Sequence, residues 1–243
     1  MGDFVVVIPQ FFLVDMKTTI IDAVADLHGY IPNLEGGDLL IIAGDITARN
    51  EFESWIDFGD WLREIIYTKN LYKECIIVAG NHDGNIHVLI DHLRHSKRIH
   101  FVSDSLIEIN GLKIWGSPWS VWFDRVNPEC SAYMAHDLEL AEKYKPIPEG
   151  IDILISHGPP LHVLDQNRDG YHCGSKSLVE ALDRVKPRVL ICGHIHEQGT
   201  GEFVYRHGEI DTWCMNCSYV NEHYEPDNRV MRIELKEAPL RAS

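Results

Sequence analysis

Basic residues are scarce in this chain. Of 243 residues, 22 are Lys or Arg against 37 Asp or Glu, a formal net charge of −15. That balance opposes binding along a long nucleic acid, which needs clustered Lys and Arg to replace counterions. It leaves room for a small anionic substrate, because bound cations can set the local field. Cysteine is also sparse: six in this length do not make a disulfide framework. Cys75 and Cys192 lie inside apolar runs and read as buried thiols. Cys214 and Cys217 have C-x-x-C spacing, but the βαβ context of a redox motif and the second pair of a zinc knuckle are both missing. They read as two cysteines on one strand, and a reducing cytoplasm is the expected compartment.

Long apolar runs are missing too. The longest, residues 4–14, is broken by Pro9 and Gln10 and is too short to cross a bilayer. It has neither a basic leader nor a small-residue cleavage site, so it does not read as a signal peptide. Residues 1–16 are expected to be an extension, optional or disordered, with Met16-Lys17 an alternative start. No other segment approaches membrane length, and no membrane partner is expected. Repeats, linkers and low-complexity segments are not found, so residues 17–243 are expected to form one domain. An apolar content of 45% and a charged content of 24% suit a soluble globular fold.

What the chain does have is a set of short apolar runs that end alike. Residues 18–25 end in Asp26-Leu27-His28-Gly29, and residues 39–43 end in Gly44-Asp45. Residues 75–79 end in Gly80-Asn81-His82-Asp83, residues 151–156 in His157-Gly158, and residues 188–192 in Gly193-His194-Ile195-His196. Each run is short and β-branched enough for a strand buried on both faces. Each ending alone is ordinary turn chemistry. Asp26 with His28, and His194 with His196, are spaced two apart, which points both side chains the same way from an extended chain.

Between the runs, Asn50 reads as a helix N-cap, with Glu53 completing a capping box. Phe52, Trp55, Ile56, Gly59, Leu62 and Ile66 form an apolar stripe at helical spacing, read as core packing. A short helix is predicted over 86–93, with His87, His92 and His95 at the surface. Asn110-Gly111 predicts a tight hairpin. Residues 116–123 are rich in aromatics and suit either a stacking surface for a nucleobase or a packing lid or dimer contact. Ser177 with Glu180 reads as the cap of a helix through Val185, and 203–236 as a β-meander turning at Gly208.

Alternation of strands with helices implies a mainly parallel central arrangement whose carboxyl ends share an edge. The five endings then converge. Imidazole, carboxylate and amide oxygen without thiolate suit Mn, Fe, Zn or Co. Eight such side chains, Asp26, His28, Asp45, Asn81, His82, His157, His194 and His196, end these runs, and seven ligands are too many for one ion with an open position and about right for two. Two cations about 3.5–4 Å apart can clamp the attacking and leaving oxygens of a displacement at phosphorus.

In order, these motifs resemble the calcineurin-like metallophosphoesterases, over the region from Thr18 to the C-terminus. Gly116-Ser117-Pro118-Trp119, His157-Gly158-Pro159-Pro160 and Gly193-His194-Ile195-His196-Glu197 are similar to the metallophosphoesterase-domain branch, which hydrolyses cyclic nucleotides and other phosphodiesters. The resemblance implies an α/β fold, a four-layer αββα sandwich of two mixed sheets with the dimetal site at the strand ends. It implies Asp26, His28 and His196 on the first metal, Asn81, His157 and His194 on the second, and Asp45 bridging, with Mn the favoured metal. It implies that His82 faces the phosphate without ligating, that Asp83 orients His82, and that a hydroxide bridging the metals attacks phosphorus. The implied substrate is a small phosphate ester, a diester such as a 2′,3′-cyclic nucleotide.

The pattern departs at two positions. Ala48 stands three residues after Asp45, where many members carry Asp, Asn or Arg, and Ala79 precedes Gly80, where protein phosphatases carry Arg. Rival readings are a phosphomonoesterase or nucleotide pyrophosphatase on the same site, and a non-catalytic binding scaffold like the retromer subunit that shares the fold. The scaffold usually has eroded ligands, whereas every metal-facing position here is filled. A nuclease acting on duplex DNA is opposed by the acidity. The sequence does not decide the oligomeric state.

Overall fold

A computed structural model describes residues 18–124 and 127–236; the apolar run at 4–14 lies outside them. The chain begins with β1 (Thr18–Val24), β2 (Gly37–Ala43), α1 (Phe52–Arg63), β3 (Tyr72–Val78), α2 (His87–Leu93) and β4 (Ile99–Phe101). A hairpin, β5 (Ser105–Ile109) and β6 (Leu112–Ser117), follows, then two short strands, β7 (Ser120–Val121) and β8 (Met134–Ala135). The second half holds α3 (Asp137–Tyr144), β9 (Ile153–Ser156), α4 (Lys176–Val185) and β10 (Val189–Cys192). It closes with β11 (Glu202–Arg206), β12 (Asp211–Asn216) and β13 (Met231–Lys236).

Two large mixed sheets result. The first runs β13-β1-β2-β3-β4 and the second β11-β12-β10-β9-β6-β5. Within them β1, β2, β3 and β4 are parallel, as are β6, β9, β10 and β12. Strand periodicity divides the apolar residues between three cores. Leu39, Ile41, Ile76, Val78, Ile153, Ile155, Val189 and Ile191 pack between the sheets. Their sequence neighbours Leu40, Ile42, Cys75 and Ile77 face α1 and α2. On the far side, Leu154 and Leu190 face α3 and α4. Both faces of each central strand are therefore buried, which is why these strands read as continuous apolar runs. The αββα layering is the fold the motifs implied.

The predicted hairpin is present: Asn110 (φ 54°) and Gly111 (φ 78°) are both left-handed, as a two-residue I′ turn requires. Three local expectations are corrected. Residue Asn50 does not cap α1, whose N-cap is Glu51 with no side-chain hydrogen bond. The Asn50 amide is occupied instead, its Oδ1 accepting Asn85 N–H and its Nδ2 donating to the Glu129 carbonyl. The buried face of α1 carries Trp55, Phe58, Gly59 and Leu62, while Phe52 is 60% exposed, so the stripe begins one turn later than expected. Ile66 is buried, but in a π-helical turn (Glu64–Thr68) that continues α1. At α4 the cap is Ser175, whose hydroxyl accepts Leu178 N–H, because Ser177 is committed to Asp137.

The expected meander is also corrected. β11 and β12 pair around Gly208 (φ 84°), but β13 crosses to the first sheet and pairs antiparallel with β1. Of the three histidines expected at the surface, His87 and His95 are exposed, while His92 is held half-buried by Asp60 and Arg63 of α1. All six cysteines are free. No helix among the described residues is long and apolar enough to cross a membrane.

Candidate metal centre

The carboxyl ends of β1, β2 and β3 meet those of β9 and β10 at one rim. Asp26, His28, Asp45 and Asn81 come from the first sheet, and His157, His194 and His196 from the second. Three ligand groupings form: Asp26 with His28 and His196, Asp45 with His157 and His194, and His28 with Asp45 and His82. The Asp45 carboxylate lies between the sides. Its Oδ2 is 3.9 Å from His28 Nε2, and its Oδ1 is 3.4 Å from His157 Nε2. Asn81 Oδ1 lies 3.0 Å from that same His157 nitrogen, and His28 Nε2 lies 3.3 Å from His196 Nε2.

Backbone strain accompanies this convergence. Asp26, His28, Asp45 and His194 all have left-handed φ, at 50°, 43°, 54° and 70°. Such conformations disfavour residues with a Cβ by roughly 1–2 kcal/mol each. Gly80 is required by close approach rather than by its φ: a Cβ there would collide with Asp45 Oδ1 and with the Asp45 amide.

Hydrogen bonds leave the inward-facing atoms free. His157 Nδ1 donates to the Ala43 carbonyl at 2.9 Å, which leaves Nε2 as the nitrogen facing Asp45 and Asn81, able to ligate once its proton is displaced. Asp26 Oδ2 accepts the Ser218 hydroxyl at 2.7 Å and His194 N–H at 2.8 Å. Its other oxygen, Oδ1, is buried without a hydrogen bond, 3.3 Å from His196 Nε2. An orphaned carboxylate oxygen among imidazoles is what a cation site looks like without the cation, so these residues fit a metal pair.

The electrostatics agree. Burial lowers the pKa of His28 to about 4, and burial with the neighbouring His157 lowers that of His194 to about 3, so both rings are neutral and ready to ligate. For His157, burial opposes protonation, but Asp45 outweighs it and the pKa rises to about 10. Burial likewise opposes ionisation of Asp26, yet His196 outweighs it and brings the pKa to about 2. Asp45 is held well below the usual carboxylate range, where His157 overcomes the cost of burial. Without metal, a proton on His157 balances the buried carboxylates, and for His196 burial opposes a proton while Asp26 outweighs it and raises the pKa.

His82 sits at the edge of this centre. Its backbone N–H donates to Asp45 Oδ1 at 2.8 Å, and its ring packs edge-on against His28. Ring Nε2 is 4.0 Å from Asp45 Oδ2. The expected orienting contact from Asp83 is corrected. The fully buried Asp83 carboxylate accepts the backbone N–H groups of Asp45, Ile46 and Gly80, and His82 Nδ1 lies 3.4 Å from the Ala48 carbonyl. Asp83 therefore holds the backbone that carries Asp45. Burial and the Asp45 charge push its pKa up to about 7.

Residues 18–198 match the family described as calcineurin-like phosphoesterase. The chain belongs to that family. Calcineurin-like phosphoesterases are dimetal enzymes, and the Asp/His groupings suit that chemistry. The chain is 32% identical over 225 residues to the human and mouse proteins named metallophosphoesterase domain-containing protein 1, a match that covers 82% of this chain. It spans 65% of the length of those relatives. Among solved structures, the protein TT1561 of Thermus thermophilus shares the fold, with a TM-score of 0.57 at 15% identity over 82% of this chain and 89% of that one.

Two positions of the centre were not legible beforehand. Ser218 orients Asp26, and Asn216 fixes the Gly193–His196 turn by donating from Nδ2 to the carbonyls of Gly193 and Ile195. Both lie at the end of β12 or just past it, and that end carries no Gly-His-Asp signature. Their signal is only that a buried strand ends in two polar residues.

Proposed function

We propose that the chain is a metal-dependent phosphoesterase of small substrates that hydrolyses phosphodiesters, 2′,3′-cyclic nucleotides among them, with manganese as the favoured metal. One observation carries the reading: the two oxygens of the buried Asp45 carboxylate face separate sets of ligands. Asp26, His28 and His196 would hold one cation, Asn81, His157 and His194 the other, and Asp45 both. When bound, the cations supply Lewis-acid chemistry, polarising the phosphoryl group and acidifying water.

The chain's own groups do the rest. Asp83 fixes the Asp45 backbone, so the carboxylate is placed before substrate arrives. His82 lines the same cleft as Asp45, His194 and His196, where its ring can hydrogen-bond a phosphoryl oxygen or give a proton to the leaving oxygen. The acidic surface favours small esters over long nucleic acid. Free thiols throughout fit a reducing cytoplasm.

The test is metal analysis of protein purified without chelator, followed by a manganese-supplemented screen of cyclic diesters, linear diesters and monoesters. Two equivalents of metal and a preference for diesters are expected. Turnover of p-nitrophenyl phosphate well above that of its bis ester would favour the monoesterase reading instead. A protein that binds no metal and turns over nothing would be a scaffold.

A further inference from the structure

The cleft over the centre, about 530 Å³, is larger than a phosphoryl group fills. Its remaining walls have a consistent chemistry. Phe123 and Tyr224, each about half exposed, line it. Phe123 approaches His194 with ring centroids 6.4 Å apart, and Tyr224 packs edge-on to His28 at 4.9 Å and to His196 at 5.0 Å. The polar groups on the same walls are Asn167, His172, Glu197 and Glu222, with Asn167 Oδ1 taken up by the N–H groups of Asp169 and Tyr171.

His172 is the most constrained of these. Its Nδ1 is 2.7 Å from Oδ1 of Asp165, a carboxylate only 1% exposed. Asp165 is itself anchored, its Oδ2 accepting the N–H groups of His162 and Gly174. The loop carrying both residues is tied to the metal-bearing turn, because Arg168 N–H donates to Glu197 and the Gln198 amide donates to the Gln166 carbonyl. A carboxylate on Nδ1 selects one tautomer, so the neutral ring presents Nε2 as an acceptor. The His172 side chain is 40% exposed. Carboxylates are acceptors as well, so apart from the Asn167 amide these walls offer hydrogen-bond acceptors, negative charge and aromatic faces.

We propose that this part of the cleft is a subsite for the organic arm of the ester, selecting an uncharged arm that donates hydrogen bonds, such as a polyol or sugar, with His172 as the specificity-determining residue and Asp165 as its positioning residue. Hydroxyls would donate to His172 Nε2, Glu197 and Glu222 while C–H faces lie on Phe123 and Tyr224. A second anionic group would meet the two glutamates and be rejected. The subsite rests on the reading of the centre as a phosphoesterase, and it separates diesters with neutral arms from pyrophosphates.

Three p-nitrophenyl phosphodiesters that share a leaving group and differ in the other arm test it: glyceryl, methyl and carboxymethyl. With manganese-loaded protein at pH 8, kcat/KM is expected to fall in that order, with the glyceryl ester roughly tenfold above the methyl ester, the worth of one or two hydrogen bonds, and the gain in KM. In His172→Ala the glyceryl-to-methyl ratio falls toward one, and His172→Gln, which keeps an acceptor, restores part of it. Glu197→Gln with Glu222→Gln narrows the gap between the methyl and carboxymethyl esters. Calorimetric binding of glycerol phosphate against ethyl phosphate gives the same comparison without turnover, and a roughly tenfold preference is expected there too. Equal affinities, or a ratio that survives His172→Ala, would overturn the subsite. Loss of all hydrolysis with the binding preference intact would instead sink the phosphoesterase reading alone.

Discussion

The carboxylate of Asp83 accepts the backbone N–H of Asp45 at 2.8 Å, so one buried acid positions another. It also accepts the N–H groups of Ile46 and Gly80. Asp83→Ala leaves three buried donors without an acceptor, at about 1–3 kcal/mol each. Denaturant midpoints should drop accordingly, and bound metal should fall with them. Asp83→Asn, which keeps one acceptor oxygen, should be intermediate. Full metal content in the alanine variant would return Asp83 to a role acting only through His82.

His82 and Asp45 should separate chemistry from metal binding. His82→Ala is expected to keep its metal and lose roughly 10²–10⁴ in kcat, the usual worth of a placed acid or base. Asp45→Ala should lose metal. Turnover of His82→Ala equal to wild type would show that the ring takes no part in the reaction.

Ser218→Ala tests the unexpected support beneath Asp26. The carboxylate keeps His194 N–H but loses the hydroxyl at 2.7 Å. Removing such a support typically weakens metal binding about 10- to 100-fold. A metal titration should show this with little change in melting temperature. An unchanged affinity would mean that the backbone contact suffices.

Metal affinity should rise with pH. The pKa of His157 is raised to about 10, so it holds a proton in the metal-free protein near neutrality, and that of His196, against the cost of burial, is shifted in the same direction by Asp26. A cation must displace such protons, and lowering the pH strengthens the competitor, by about tenfold per unit for each proton released. His28 and His194, at about 4 and about 3, are already neutral and should contribute nothing above pH ~6. Calorimetry in buffers of unlike ionisation enthalpy measures the released protons. An affinity flat across neutral pH would contradict this account.

Much of this centre was legible because five buried strands end in polar turns, and parallel strands must place those ends together. Apolar continuity marked Ile41, Ile76 and Ile191 as core before any contact was known. Competition for side chains was hidden. Asn50 and Ser177 are sound caps by local rules, but residues distant in the chain, Asn85 and Asp137, use them instead. The role of Asp83 was misplaced for a similar reason: adjacency to His82 says nothing about a backbone 37 or 38 residues away. The destination of β13 was equally invisible, since a strand following a hairpin pairs with its neighbour unless another edge is open.

Each proposed cation site would draw on both sheets. The first would take Asp26 and His28 from one layer and His196 from the other, and the second Asn81 from one and His157 and His194 from the other. A bound pair of ions would therefore act as a set of rivets through the sandwich at one rim. Chelation should loosen that rim before anything else, opening the turns after β1 and β10 to proteolysis and solvent exchange while the opposite end of the layers stays closed.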